Sequence, residues 1–213
     1  RMRGMALKAY ENMAACVIEE LKKRNMEGYY CEDRKAAADL VCSMVEKGAA
    51  VSWGGSETIK ELGVLERLKE DGCEMIEYPE KEKKEIGSPI FAKVAAADYF
   101  LMSTNAITRT GELVNIDGAS NRLSSLLHGP KHVIIVAGMN KLVKTVEDGF
   151  NRIQTSVCPV TAERSGRKTP CGIKGVCTDC QSPDCMCCNI VISRRSRYNG
   201  RVKVILVGEN LGV

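Results

Sequence analysis

The chain has 213 residues and a formal net charge of +4, with 44% hydrophobic and 27% charged residues. These values are typical of a globular protein with one hydrophobic core, and so small a net charge disfavours nucleic-acid binding. No apolar run approaches the roughly 20 residues that span a bilayer, and no signal peptide is recognisable, so we expect a cytoplasmic protein without a membrane span.

Helical periodicity dominates residues 1–48. A second predicted helix begins after Asp33, a suitable N-cap residue, and ends at Gly48. We therefore predict an N-terminal helical segment over 1–48, followed by a larger domain over 49–213. The apolar face of the first predicted helix consists of Met13, Ala14, Val17, Ile18 and Leu21.

After residue 48 short apolar runs alternate with helical patterns. The run "AAVSW" is followed by the turn "GGS" and the helical stretch "ETIKELG", and "HVIIVAG" precedes the helical stretch "NKLVKTVEDGFNRI". A nearly continuous apolar run such as "HVIIVAG" is typical of a strand buried on both faces of a parallel sheet. The runs "NIVISR" and "RVKVILVG" predict two closing strands. This order indicates an α/β fold with a mainly parallel sheet flanked by helices.

The turn after the first predicted strand is a candidate anion-binding loop. Gly54 and Gly55 allow a sharp turn and close approach of a ligand, and Ser56 can cap the following helix. A tight strand–helix connection without a ligand explains the same residues equally well, and the sequence does not separate the two interpretations.

A second candidate site lies in "STNAITRTGELVNIDGASNR", residues 103–122, directly after a predicted buried strand. Loops beyond the carboxyl ends of strands are where open α/β sheets bind ligands. Capping explains some of these polar residues, but a carboxylate pair beside an arginine also suits acid–base chemistry on an anionic substrate. The candidate acid–base residues are Glu112 and Asp117, and the candidate ligand-binding residues are Asn105, Thr108, Asn121 and Arg122.

These motifs resemble those of the lactate-utilisation (LUD) domain family. The resemblance is carried by "WGGSETIKELGVLERL", by residues 103–122, by "HGPKHVIIVAGMNKLVKTVEDGFNRI" and by the cysteine-rich stretch with the final strand. It implies a fold similar to that of ribose phosphate isomerase, glucosamine phosphate deaminase and the CoA transferases. It also implies a link to the oxidation of lactate to pyruvate, often beside iron–sulfur partner subunits.

The resemblance also assigns site residues. Gly54, Gly55 and Ser56 match the family's anion-binding loop, the polar residues of 103–122 match its central motif, and Asn140 with Lys141 matches its "NK" helix start. On this basis Lys141 is a third candidate catalytic residue, although a lone lysine is more often a solvated surface residue. The chain departs from the family pattern at Ser120, where a glycine is expected, and in a shorter stretch between Tyr78 and Asp98.

Eleven cysteines are present, and six of them fall between residues 171 and 188. The Cys177-x2-Cys180 pair has the spacing of a metal chelate, and four thiolates suit either zinc or an iron–sulfur cluster. Free thiols are the third alternative, and the resemblance favours the iron–sulfur cluster. The expected ligands are Cys171, Cys177, Cys180 and one of Cys187 and Cys188, with Cys185 as the spare thiol.

Three functions remain open from the sequence. The first is a redox-associated subunit that binds a small anionic substrate in the metabolism of lactate or a related 2-hydroxyacid, beside iron–sulfur or other redox partner subunits. The second is an isomerase- or CoA-transferase-like enzyme with a structural metal, and the third is a non-catalytic binding or regulatory module. A homodimer is a further expectation.

Overall fold

The computed structural model describes residues 2–79 and 85–213. Its main sheet contains six strands, and every neighbouring pair is parallel. The predicted α/β fold with a mainly parallel sheet is therefore confirmed. In spatial order the strands are β1 (Glu27–Cys31), β10 (Val202–Val207), β7 (His132–Gly138), β4 (Tyr99–Met102), β2 (Ala50–Trp53) and β3 (Glu74–Ile76).

Helices cover both faces of this sheet, because parallel strands must be joined by crossover connections. The main-sheet face that carries Val133 and Ile135 packs against α1 (Met2–Lys23) and α6 (Asn121–Leu127). The face that carries Ile134 and Val136 packs against α2 (Arg34–Met44), α3 (Glu57–Leu62) and α4 (Val64–Glu70). Strand β7 has a neighbour on each side and a helical layer on each face, which explains its uninterrupted apolar sequence. The described helices are α1 (Met2–Lys23), α2 (Arg34–Met44), α3 (Glu57–Leu62), α4 (Val64–Glu70), α5 (Pro89–Ala95), α6 (Asn121–Leu127), α7 (Val146–Arg152), α8 (Cys158–Arg164) and α9 (Pro170–Lys174).

A second, smaller sheet is mixed. Its order is β8 (Leu142–Val143), β5 (Ala106–Thr108), β6 (Leu113–Asp117) and β9 (Asn189–Ser193). Strand β6 is antiparallel to both of its neighbours, and β5 is parallel to β8. This sheet packs against α7 and against the π-helical turn Ile153–Val157, which runs directly into α8.

Three sequence expectations need correction. The segment 1–48 is not helical throughout, because β1 lies between α1 and α2 and pairs with β10 of the main sheet. The helix predicted from Asn140 begins only at Val146, because Leu142 and Val143 pair with β5 and Thr145 forms a capping box with Asp148. Strand β9 closes the second sheet rather than the main one.

Among the described helices, none is long and apolar enough to cross a membrane. The stretch between Tyr78 and Asp98 includes residues 80–84, which lie outside the described residues, so its comparison with the family pattern stays a prediction.

Gly138, the last residue of β7, has no room for a side chain. A Cβ atom at this position would lie 2.4 Å from Asn140 Oδ1, 2.5 Å from the backbone oxygen of Glu209 and 2.6 Å from the backbone nitrogen of Leu211. We expect Gly138→Ala to lower the free energy of unfolding by about 1–3 kcal/mol, because backbone atoms must move to relieve the overlap.

Chemical denaturation of the purified variant measures this loss. Gly4→Ala in α1 is the matched control, because a Cβ atom there meets nothing within 4 Å. The packing argument is wrong if Gly138→Ala is as stable as Gly4→Ala.

Candidate functional site

A cavity of about 430 Å³ lies at the carboxyl ends of β2 and β4. We call it the rim pocket. The loop after β2 contributes Gly55 and Ser56, the loop after β4 contributes Ser103 and Asn105, and α8 and the segment after it close the other side. This is the edge of a parallel sheet at which open α/β proteins bind ligands.

The two polar segments singled out in the sequence meet at this pocket. Gly54 passes so close to Arg122 that a Cβ atom on the glycine would lie 3.2 Å from Cγ and Cδ of the arginine. Glycine therefore allows the loop after β2 to approach Arg122, the second residue of α6. Gly55, Ser56, Asp117 and Arg122 all line the rim pocket.

Arg122 organises the pocket wall, since its guanidinium donates hydrogen bonds to groups of the protein itself. Two N–H groups bind backbone oxygens, two bind side-chain amide oxygens, and Nε faces a carboxylate at 3.7 Å. Burial lowers the pKa of Arg122, while Asp117 opposes that shift. Four of its five N–H groups therefore have acceptors within the protein, and the role of Arg122 in ligand binding stays a prediction. Its partners are Ser103 O, Ile116 O, Asn105 Oδ1, Asn115 Oδ1 and Asp117 Oδ2.

Lys141 is the buried cation of the pocket. Its side chain is 3% exposed, and Nζ donates to Thr58 Oγ1 at 3.0 Å and to Ser103 Oγ at 2.9 Å. Within the part of the chain that the structure describes, no carboxylate forms an ion pair with it. Burial, reinforced by the positive charges of Arg152 and Arg122, lowers the pKa of Lys141 to about 7.

The other predicted ligand-binding residues have different surroundings. Asn105 lines the rim pocket, and its Oδ1 accepts from the backbone N–H of Ile116 at 2.9 Å as well as from Arg122. Ser56 caps α3 by accepting from the backbone N–H of Ile59 at 3.3 Å. Gly54 and Asn121 line a neighbouring surface cleft instead. The binding roles of these residues stay predictions.

Glu112 and Thr108 are not part of the rim pocket. Glu112 forms an ion pair with Arg24 at the end of α1 and accepts hydrogen bonds from Thr108 and Thr110. Glu112 directly precedes β6, and Asp117 is the last residue of that strand. Five residues at about 3.3 Å each place the two residues roughly 17 Å apart along the strand. The predicted pairing of Glu112 with Asp117 in one acid–base site is therefore wrong, and Glu112 connects α1 to the second sheet.

Sequence reasoning missed the wall formed by α8 and the residues after it. Arg164 and Arg167 line the rim pocket, with Arg164 Nη1 3.0 Å from Glu57 Oε1 and Arg167 Nη1 3.1 Å from Asp184 Oδ1. Four basic side chains but only two carboxylates line the pocket, which favours an anionic ligand. Pro159 marks the first turn of α8, but its distance in sequence from the other pocket residues concealed their proximity.

A second, smaller cavity of about 80 Å³ adjoins the rim pocket, and we call it the cysteine cavity. Ile116 and Met186 line both cavities. Cys188 does not line the cysteine cavity; it is exposed, and its Sγ lies 3.2 Å from Cys185 Sγ. The cysteines that line it are Cys158, Cys171, Cys177, Cys180, Cys185 and Cys187.

The predicted ligand set is thus gathered in one place, except for Cys188. Across residues 2–79 and 85–213, no group of three or more His, Cys, Asp or Glu side chains is arranged as it stands to hold a metal ion. The donor chemistry nevertheless fits a metal that prefers sulfur, because thiols predominate and Asp179 is the single carboxylate at this cavity. Iron–sulfur and zinc binding both stay predictions.

The architecture and the rim pocket define an open-sheet α/β protein with a polar, cation-rich cavity beyond its parallel strands. The LUD domain profile matches residues 14–207, and the chain belongs to the LUD domain family. No curated protein matches the sequence.

One solved structure shows the same fold at low sequence identity. The crystal structure of a DUF162 family protein from Deinococcus radiodurans aligns over 96% of this chain and 98% of that chain, with 13% identity and a TM-score of 0.50. The crystal structure of eIF2B beta from Chaetomium thermophilum covers 52% of this chain and 44% of that chain, with 15% identity and a TM-score of 0.34.

The lowered pKa of Lys141 predicts how stability depends on pH. Below about 7 the folded and unfolded chains both carry the proton, and the penalty of burying the charge is complete. Between about 7 and the ordinary value of 10.5 the folded state has lost a proton that the unfolded chain retains. The free energy of unfolding should therefore rise with pH in this window, by at most about 1.4 kcal/mol per pH unit.

Chemical denaturation at a series of neutral and alkaline pH values measures this slope for the wild type and for Lys141→Met. The variant should be the more stable protein at neutral pH and lose that advantage as the pH rises. Lys93→Met, which removes an exposed lysine, is the control. Equal slopes for the wild type and Lys141→Met would contradict the assignment.

Glu112→Gln tests the corrected role of Glu112. Burial raises the pKa of this carboxyl, but hydrogen bonds from Thr108 and Thr110 and the charge of Arg24 outweigh burial and lower it overall. The substitution should lower the free energy of unfolding by about 1.5–3 kcal/mol at neutral pH, because charge-assisted hydrogen bonds are lost.

The difference between wild type and Glu112→Gln should shrink as the pH falls through the lowered pKa, where the native carboxylate also becomes protonated. Thermal and chemical unfolding of both proteins, with Glu19→Gln as an exposed control, provide the measurement. A variant of unchanged stability would show that Glu112 does not connect α1 to the second sheet.

Proposed function

We propose that the rim pocket binds the carboxylate of a small 2-hydroxyacid, with lactate as the leading candidate, and that the protein acts as a subunit in its oxidation. Membership of the LUD domain family supports a role associated with lactate utilisation at the level of the family. The observation that carries the proposal is Lys141, a buried amine without a carboxylate partner among the described residues, in a cavity where basic side chains are in excess.

The charge of the pocket supports a small anion. Arg164 and Arg167 attract a carboxylate from the α8 side, and the hydroxyl groups of Thr58 and Ser103 surround Lys141 Nζ. An anion bound here would offset the mutual repulsion between Lys141 and the neighbouring arginines, so part of the binding free energy comes from relieving an unfavourable charge arrangement.

Lys141 is also the best-placed proton acceptor. With a pKa of about 7, a large fraction of its side chain is the free amine at neutral pH. Asp117 is less suited to this task, because its Oδ2 faces Arg122 and accepts from the backbone N–H of Leu123 at 3.3 Å. In the proposed step Lys141 takes the proton of the substrate hydroxyl group.

Oxidation of a 2-hydroxyacid to a 2-oxoacid breaks one O–H and one C–H bond and releases two electrons. With the hydroxyl proton on Lys141, the hydrogen on carbon leaves with its electron pair as a hydride. We assign its acceptor to a flavin or nicotinamide on a redox partner subunit, since the sequence contains neither a G-x-G-x-x-G nor a Walker motif. Iron–sulfur partner subunits and a homodimer form part of the same proposal.

The alternative of a CoA-transferase-like enzyme has less support. Its candidate nucleophile, Glu112, lies outside the rim pocket and is held by Arg24, Thr108 and Thr110. Asp117 lines the pocket, but its Oδ2 faces Arg122 Nε at 3.7 Å and accepts from the backbone N–H of Leu123, so this oxygen is occupied by groups of the protein.

Isothermal titration calorimetry with L-lactate, pyruvate and propane-1,2-diol tests the binding step. The two carboxylates should bind saturably, and the diol, which has lactate's hydroxyl group but no charge, should not. Lys141→Met should weaken lactate binding by about tenfold or more, or ~1.4 kcal/mol. Lys93→Met changes the net charge equally at an exposed position and should bind normally.

Two results would refute the binding proposal. One is that the wild type binds neither lactate nor pyruvate, and the other is that Lys141→Met and Lys93→Met bind lactate equally well.

A further inference from the structure

The cysteine cavity contains a thiol outside the cysteine-rich stretch. Cys158 lies at the start of α8, 13 residues before Cys171, and its side chain is 4% exposed. It belongs to a buried cluster against which Cys171 and Cys187 pack, and all three residues line the cysteine cavity. Three sequence-distant thiols therefore meet at one wall of the cavity.

The backbone directly before Cys158 adopts an unusual helical conformation. Residues 153–157 form a π-helical turn between α7 and α8, and Val157 and Cys158 are both buried. A π turn inserts an extra residue into a helix, changes the direction in which the next side chains point and occurs frequently at functional sites. Here it precedes the residue that faces the thiols of the cysteine-rich loop.

The surroundings of Cys188 differ from those of the buried Cys158. It is exposed, it lies outside the wall of the cavity, and its nearest thiol is that of Cys185. Of the two alternatives for the fourth ligand, Cys187 lines the cavity and Cys188 does not. The cavity supplies more thiols than a single tetrahedral ion needs, even without Cys188.

The size of the cavity separates a cluster from a single ion. A volume of about 10–15 Å³ is enough for one water molecule. The cysteine cavity, at about 80 Å³, is several times larger, and Ile116, Phe150, Ile153 and Ile190 give it an apolar wall. A thiol-lined space of this size with an apolar wall suits a multi-atom iron–sulfur centre better than one zinc ion.

We propose that the cysteine cavity binds an iron–sulfur cluster and that Cys158, from the start of α8, is one of its ligands together with Cys171, Cys177 and Cys187. When bound, such a cluster supplies one-electron transfer. Residues 175–188, after α9, lack regular secondary structure, so the loop thiols can close on the cluster while α8 holds Cys158 in place. The inference goes beyond the ligand of the rim pocket and does not depend on it.

The experiment is anaerobic reconstitution of the purified full chain with ferrous iron and sulfide, followed by removal of excess reagent. Iron and acid-labile sulfide are then determined, and the visible absorption of thiolate-bound iron is recorded. The wild type should retain both elements. Cys158→Ser should retain at most about a quarter of the wild-type iron, whereas Cys188→Ser should retain all of it.

A variant with Cys180→Ser, Cys185→Ser and Cys188→Ser together gives a positive test that does not disturb the core. It leaves Cys158, Cys171, Cys177 and Cys187 as the only thiols around the cavity. The proposal expects this protein to bind a cluster with the wild-type ratio of iron to sulfide. Circular dichroism and thermal unfolding of the metal-free variants establish that each of them is folded.

Several outcomes overturn the proposal. Cys158→Ser with full iron and sulfide content removes Cys158 from the ligand set. Loss of iron from the folded triple variant refutes the proposed set of four ligands, even if Cys158→Ser fails to fold. A wild type that takes up no iron or sulfide but binds one zinc ion per chain replaces the cluster with a structural zinc site. None of these readouts requires lactate binding, so failure here is distinguishable from failure of the proposed function.

Discussion

The buried guanidinium of Arg122 is the interaction on which the site depends. Moving an arginine out of water is expensive unless its N–H groups find acceptors, and here those acceptors come from residues 103–105 after β4 and from β6. The same side chain therefore joins the main sheet to the second sheet. It also fixes the path of the loop after β2, because Gly54 lies directly against its methylene groups.

Arg122 and Lys141 differ in what they can contribute to the rim pocket. A guanidinium with four of its five N–H groups already hydrogen-bonded contributes charge and rigidity but has little donor capacity left for a ligand. The proposed reactive group is instead Lys141, which has hydroxyl partners in Thr58 and Ser103 and like-charged neighbours in Arg122 and Arg152. An ammonium in such surroundings gives up its proton readily, which suits proton transfer near neutral pH.

Much of this could be predicted from the sequence, for physical reasons that differ from residue to residue. The apolar run of β7 specifies a strand buried on both faces, and the rule that loops gather beyond parallel strand ends correctly brings Gly54 and Arg122 together. The prediction that Glu112 and Asp117 share one site failed because five residues are close in sequence but lie roughly 17 Å apart along an extended strand. The state of Lys141 and the position of Cys158 depend on packing between segments far apart in the chain, for which no local pattern exists.

Ile116 and Met186 form a partition between the rim pocket and the cysteine cavity. Methionine is unbranched and adapts its shape easily, so a ligand that displaces the Met186 side chain from one cavity would reduce the volume of the other cavity. Thermodynamic linkage then requires reciprocity. If a ligand in one cavity changes the affinity of the other cavity for its ligand by some factor, the second ligand changes the affinity for the first by the same factor. Two adjoining cavities that share an adaptable side chain would be coupled in this way without any movement of the two sheets.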